Sequence, residues 1–127
     1  METFEPQESE TGETLNINYI EFPAADFDTT QAFYEKAFGW HFTDYGSDYR
    51  AFSDDKLEGG FYKSNNYSST ENGAALVVLY CKNLEAALDR VVKAGGTIVT
   101  DIFDFPGGQR FQFADPSGNQ LAVWTDK

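Results

Sequence analysis

The chain has 127 residues, a formal net charge of −12 and 17% aromatic residues, with 12 Phe and 7 Tyr. Such a length supports one ordinary hydrophobic core and is too short for two independent ones, so a single domain is expected. The acidic balance argues against nucleic acid and anionic membrane surfaces as partners, since both require basic patches to displace counterions; it permits a cationic ligand and serves equally as a self-repelling, soluble surface.

Five of the acids fall within residues 1–14, which carry no Lys or Arg, so −7 remains for the rest of the chain. That stretch has too little apolar surface to offset its ordering entropy and reads as a flexible acidic leader. Neither an export signal nor a segment of membrane-spanning length is recognised. With Cys81 as the lone cysteine, no intrachain disulfide can form, and a cytoplasmic protein is expected.

Residues 15–23 alternate Ile17, Tyr19 and Glu21 against Asn18, Ile20 and Phe22, which predicts a strand with two unlike faces ended by Pro23. Asp26 or Asp28 can cap the helix that follows, and Asp28 with Gln31 has capping-box spacing. Phe27, Phe33, Tyr34, Ala37 and Phe38 recur at helical spacing, and Gly39 stops the helix. Residues 40–43, 49–53 and 57–63 are short strands between Asp, Gly and Ser turns.

Residues 64–72 are rich in Ser and Asn and read as a linker. A near-continuous apolar strand follows over residues 74–81. Asn83 caps a second helix with Leu84, Ala87, Leu88 and Val91 on one face, and Gly95 and Gly96 end it. Residues 97–100, 110–114 and 120–124 are the last strands, with residues 103–108 a flexible aromatic loop and residues 115–119 (Asp-Pro-Ser-Gly-Asn) a tight turn. The chain thus repeats one unit, strand, helix and three strands, over residues 15–63 and 73–125, together forming a single domain across 15–127.

The first strand, Phe33-Tyr34, Phe38-Gly39-Trp40, Ala94-Gly95-Gly96 and the Asp115-Pro116-Ser117-Gly118-Asn119 turn, in that order and spacing, resemble the vicinal oxygen chelate superfamily. That superfamily includes glyoxalase I, bleomycin resistance proteins and extradiol dioxygenases. The resemblance implies an α+β fold of two βαβββ modules forming an open cup-like barrel, often completed in a homodimer. It also implies, for metal-dependent members, His, Glu or Gln ligands on four cup-facing positions, holding a divalent Lewis acid.

In this chain those positions carry Tyr19, Gly59, Leu76 and Ala122, none of them a competent ligand. Glu58, one residue away, and Glu21 could hold a hard cation. The single histidine, His41, lies among aromatics and reads as structural. No resident cofactor is expected. The side chains expected in the cup are Tyr19, Glu21, Leu76, Val78, Tyr80, Gln120, Ala122 and Trp124, with Ile20, Phe22, Leu121 and Val123 under the helices. This mixture of rings and polar tips suits a small-molecule pocket, and also suits plain filling of space.

A carboxyl on such a face binds a cation, pairs with Arg50 or Arg110, or takes up a proton, so Glu21 is the informative residue. The leading expectation is a metal-free member that binds an aromatic or cationic small molecule in a homodimer, as bleomycin resistance proteins sequester a drug. The alternatives are a glyoxalase-like lyase, isomerase or dioxygenase with a displaced metal site, and a regulatory or interaction subunit whose cup is filled. No catalytic residue is assigned.

Overall fold

The computed structural model describes residues 14–127; the expected acidic leader lies outside the described residues except for Thr14. The first module runs β1 (Tyr19–Ala24), α1 (Phe27–Phe38), β2 (His41–Asp44), β3 (Tyr49–Ser53) and β4 (Glu58–Lys63). The second runs β5 (Val77–Tyr80), α2 (Leu84–Ala94), β6 (Thr97–Phe105), β7 (Gly108–Ala114) and β8 (Gln120–Asp126). The first sheet has the order β1-β4-β3-β2 and the second β5-β8-β7-β6. In each, the module's first strand runs parallel to its last and the remaining pairs are antiparallel. The architecture is therefore the expected α+β pair of βαβββ modules, with the sheets left open and not closed into a barrel.

Local chemistry sets the helix ends in the same way twice. Asp26 accepts from the Thr29 amide at 3.1 Å and Gly39 closes α1 with φ 72°; Asn83 accepts from the Ala86 amide at 3.1 Å and Gly95 closes α2 with φ 102°. Asp28 is thus not the cap. It stands in the first turn, where its carboxylate takes the Arg50 guanidinium at 2.9 Å.

The helices pack on each other between the inner faces of the two sheets. Tyr34 stacks on Trp40 with ring centroids 4.5 Å apart, Trp40 stacks on Phe52 at the same distance, and Phe33 reaches across to Phe113 of β7 at 5.9 Å. One aromatic core therefore serves both modules, which is where most of the Phe content goes. The Asp-Pro-Ser-Gly-Asn turn locks that arrangement. Asp115 is buried and accepts from the Tyr34 hydroxyl at 2.8 Å and from the Ser117 and Asn119 amides, while the Asn119 side chain donates to the Pro23 carbonyl at 2.7 Å and accepts from the Ser68 amide. Burial pushes the Asp115 carboxyl up from its ordinary value against the pull of these hydrogen bonds, and raises the Tyr34 phenol as well.

Three expected boundaries are corrected. β1 begins at Tyr19 and not at residue 15, because β4, its only partner, begins opposite Tyr19 at Glu58; Leu15 and Ile17 are left 90% and 81% exposed. β5 likewise begins at Val77, so Leu76 precedes it. Residues 103–105 are strand and not loop: Phe103 pairs with Arg110 and Phe105 with Gly108, and only Pro106 and Gly107 form the turn. Two register shifts in β6, between Ile98 and Thr100 and between Thr100 and Phe103, interrupt the alternation that would have marked this strand.

Candidate functional site

Because both helix-covered faces share one core, each sheet presents its other face outward. On the first sheet that open face carries Tyr19, Glu21, Tyr49 and Glu58; on the second it carries Val78, Tyr80, Arg110, Ala122 and Trp124. Ile20, Phe22, Leu121 and Val123 lie on the core side, as the strand alternation predicts.

On the first sheet, the Tyr49 hydroxyl donates to Glu21 Oε2 at 2.8 Å and stands 2.7 Å from the Tyr19 hydroxyl. With its proton committed to the carboxylate, Tyr49 accepts from Tyr19, so the three groups form a line of hydrogen bonds ending on Oε2 of Glu21. Partial burial, then the contacts with Tyr19 and Glu21, push the Tyr49 phenol far up, so it stays protonated and always donates. Gly60 makes this arrangement possible. It pairs with both Glu21 and Ala51, and a Cβ there would sit 1.9 Å from the Tyr49 hydroxyl.

Glu21 itself is exposed and borders a groove of about 570 Å³ lined also by Tyr62, Asn66, Tyr67 and Asn72. The expected arginine pairing is not made. Arg50 points to the helix side of β3, where Asp28, Gln31 and Asp44 engage it over the Phe27 ring, and Arg110 belongs to the other sheet.

The metal-ligand positions can now be read. Gly59 faces the core, since a Cβ there would meet the Ile20 carbonyl at 2.2 Å and the Phe52 ring; the open-face residues of β4 are Glu58, opposite Tyr19, and Gly60. Leu76 is half-buried ahead of β5. Ala122 is buried but stands apart from the core cluster, covered on the open side of β8. Of the four expected positions, Tyr19, Gly59, Leu76 and Ala122, none supplies a usual metal ligand, the register adds the carboxylate of Glu58 to this face, and no group of three or more His, Cys, Asp or Glu converges among the described residues. His41 pairs only with Asp55, at 3.6 Å on the surface.

The second sheet's open face is a different surface. Tyr80 packs edge-on against Trp124 at 5.2 Å, and Phe105 lies 6.2 Å from Trp124 on the other side. The Tyr80 hydroxyl donates to Asp126, which raises the phenol and lowers the carboxyl. Gln120 is half-buried at the start of β8, its amide bound to the Ser68 carbonyl at 2.8 Å. No hydrogen bond or ring contact joins Tyr19 or Glu21 to Val78, Tyr80, Gln120, Ala122 or Trp124, so one chain does not bring the eight expected pocket residues together.

Sequence reasoning missed Tyr49 and Phe105, and named Arg110 only as a possible partner of Glu21. The signal for Tyr49 was the unexplained Gly59-Gly60 pair, whose second member clears space for a large neighbour. Phe105 was hidden by the loop assignment over residues 103–108.

The family model for the Glyoxalase/Bleomycin resistance protein/Dioxygenase superfamily matches residues 16–123. No curated protein matches the sequence. Among solved structures, the chain is similar to a glyoxalase-related enzyme from Fulvimarina pelagi (16% identity, 89% of each chain covered, TM-score 0.75). It is also similar to the genomically encoded fosfomycin resistance protein FosX from Listeria monocytogenes (13% identity, 90% of this chain and 95% of that one, TM-score 0.74). A third likeness is to an integron cassette protein from the mobile metagenome of V. cholerae (24% identity, 89% and 96% covered, TM-score 0.65). At these identities the structural likeness establishes the fold alone.

Proposed function

The chain belongs to the glyoxalase/bleomycin resistance protein/dioxygenase superfamily, and from that premise we propose that it is a metal-independent small-molecule-binding protein whose ligand is aromatic or cationic. The observation that carries this reading is Glu21. Its carboxylate is exposed, held by a tyrosine that does not ionise, and set at the wall of a groove large enough for a small ligand. The same line of Tyr19, Tyr49 and Glu21 suits recognition of an ammonium or a polarised N–H by charge-assisted hydrogen bonding.

The protein works as a homodimer in this proposal. Tyr19, Val78 and Tyr80 are 44%, 42% and 50% exposed on open sheet faces, and laying the first sheet of one chain over the second sheet of its partner covers both faces and builds the cup. A cytoplasmic location and the absence of nucleic-acid or membrane partners belong to the same proposal, supported by the acidic charge and the lone Cys81; no helix among the described residues is long and apolar enough to cross a membrane.

A second reading, a glyoxalase-like lyase, isomerase or dioxygenase with a displaced metal site, rests on Glu58, which the register places on the same open face as Glu21. Metal analysis of the purified protein, combined with calorimetric titration of ring-bearing amines, separates the two. The first predicts amine binding lost in Glu21→Gln and no stoichiometric transition metal. Stoichiometric metal that disappears with Glu21→Ala would overturn it, and a monomer by sedimentation at micromolar concentration would overturn the dimeric cup.

A further inference from the structure

We infer that the open face of the second sheet carries a subsite for a planar, ring-bearing carboxylate, with Arg110 as the anion-binding residue and Trp124, Phe105 and Val78 as the ring wall. This deepens the reading above by naming the ligand's anionic end, and rests on it only for the acidic wall opposite. Four side chains, one from each strand of the second sheet, Val78, Phe105, Arg110 and Trp124, line a concavity of about 220 Å³. An apolar cavity of about 150 Å³ is enough to take a benzene ring.

Arg110 is the unusual member. Its guanidinium lies over the Phe103 ring at 5.3 Å, which fixes its plane, and its Nε is shielded from solvent without a hydrogen-bond partner. It makes no ion pair among the described residues. The carboxylates at this end of the hairpin are already engaged, Asp104 by the Gln109 amide at 2.8 Å and Asp126 by the Tyr80 hydroxyl. A permanently charged fork, oriented by stacking and lacking a counterion, matches a carboxylate's two oxygens.

Arg50 is the internal control. It occupies β3, the counterpart of β7, stacks on Phe27 in the same manner and likewise has a shielded Nε without a partner, but its two terminal nitrogens are countered by Asp28 and Asp44. Of these two arginines, Arg110 is the one without an ion pair among the described residues, and it lines the ring-walled hollow.

Benzoate is the probe, titrated into the full chain while the Trp124 indole and Arg110 Nε–H resonances are followed by NMR. A saturable shift of both is expected in the millimolar range appropriate to so small a ligand, with inorganic phosphate and benzylamine leaving them in place. Arg110→Gln should weaken benzoate by about tenfold or more, the loss of one charge-assisted contact. Arg110→Lys, which keeps the charge and stem but not the fork, should weaken it comparably and covers the case in which the glutamine variant fails to fold. Glu21→Gln should leave benzoate binding unchanged. No saturable shift in the wild type, or a benzoate affinity in the Arg110 variants equal to that of the wild type, would overturn the subsite. A protein that binds benzoate through Arg110 but no amine through Glu21 would sink the preceding reading and leave this one standing.

Discussion

The two modules share one topology and one pair of helix caps, yet their open faces have opposite chemistry. The first sheet shows carboxylates and phenols, Glu21 and Glu58 with Tyr19 and Tyr49; the second shows rings around one cation, Tyr80, Phe105 and Trp124 around Arg110. The corresponding positions Gly60 and Ala122 make the contrast concrete. Gly60 pairs with Glu21 and has a tyrosine laid across it, whereas Ala122 pairs with Val78 and accommodates its own methyl. A duplicated scaffold constrains the core that both halves share and leaves each outer face freer to diverge, because the shared core does not pack there.

The largest expected effect breaks what the modules have in common. Asp115→Ala leaves the Tyr34 hydroxyl, the Asn119 side chain and two amides without their buried acceptor, and should lower the unfolding free energy by about 3–5 kcal/mol. Urea denaturation measures it, and a loss below about 1 kcal/mol would show that the turn does not clamp the modules together.

Gly60→Ala against Ala122→Gly comes next. The first forces the Tyr49 ring aside and should destabilise by roughly 1–3 kcal/mol while abolishing the Glu21 contact; the second should stay within about 1 kcal/mol. Equal effects would erase the asymmetry between the open faces. Tyr49→Phe should be milder, about 1 kcal/mol. In the wild type, ultraviolet titration should show both Tyr34 and Tyr49 resisting ionisation to the alkaline limit of the folded protein, and the variant should show one fewer such phenol.

The smallest effect is one of pH. Burial raises the folded-state carboxyl of Asp115 above its unfolded value, so its contribution to stability is complete below the unfolded pKa and fades as pH rises through the folded one. The destabilisation caused by Asp115→Asn should therefore be greatest near pH 3 and shrink toward pH 6. A gap that widens over that range would reverse the assignment.

Much of the fold was legible. Helical spacing marked Phe33 and Tyr34 as buried, caps at Asp26 and Asn83 placed the helices, and the alternation in β1 put Glu21 on one face and Phe22 on the other. The candidate site was only half legible. Tyr49 was visible as a strand residue, but its bond to Glu21 depends on β3 standing two strands away with Gly60 between. Arg110 was placed on a strand, but its ring-lined setting escaped because bulges in β6 disguised its partner strand as a loop.

What the sequence determined by itself was therefore local and periodic: two repeated modules, their helix ends, and the face on which each strand residue lies. Those follow from hydrogen-bonding propensity and from the fixed periods of helix and strand, which need no knowledge of distant neighbours. Only the tertiary structure decided which of those faces share a core, that Arg50 is neutralised and Arg110 is not, and that Glu21 meets a phenol rather than an arginine. Such pairings depend on register between strands far apart in the chain, and register is set by the packing of the whole core.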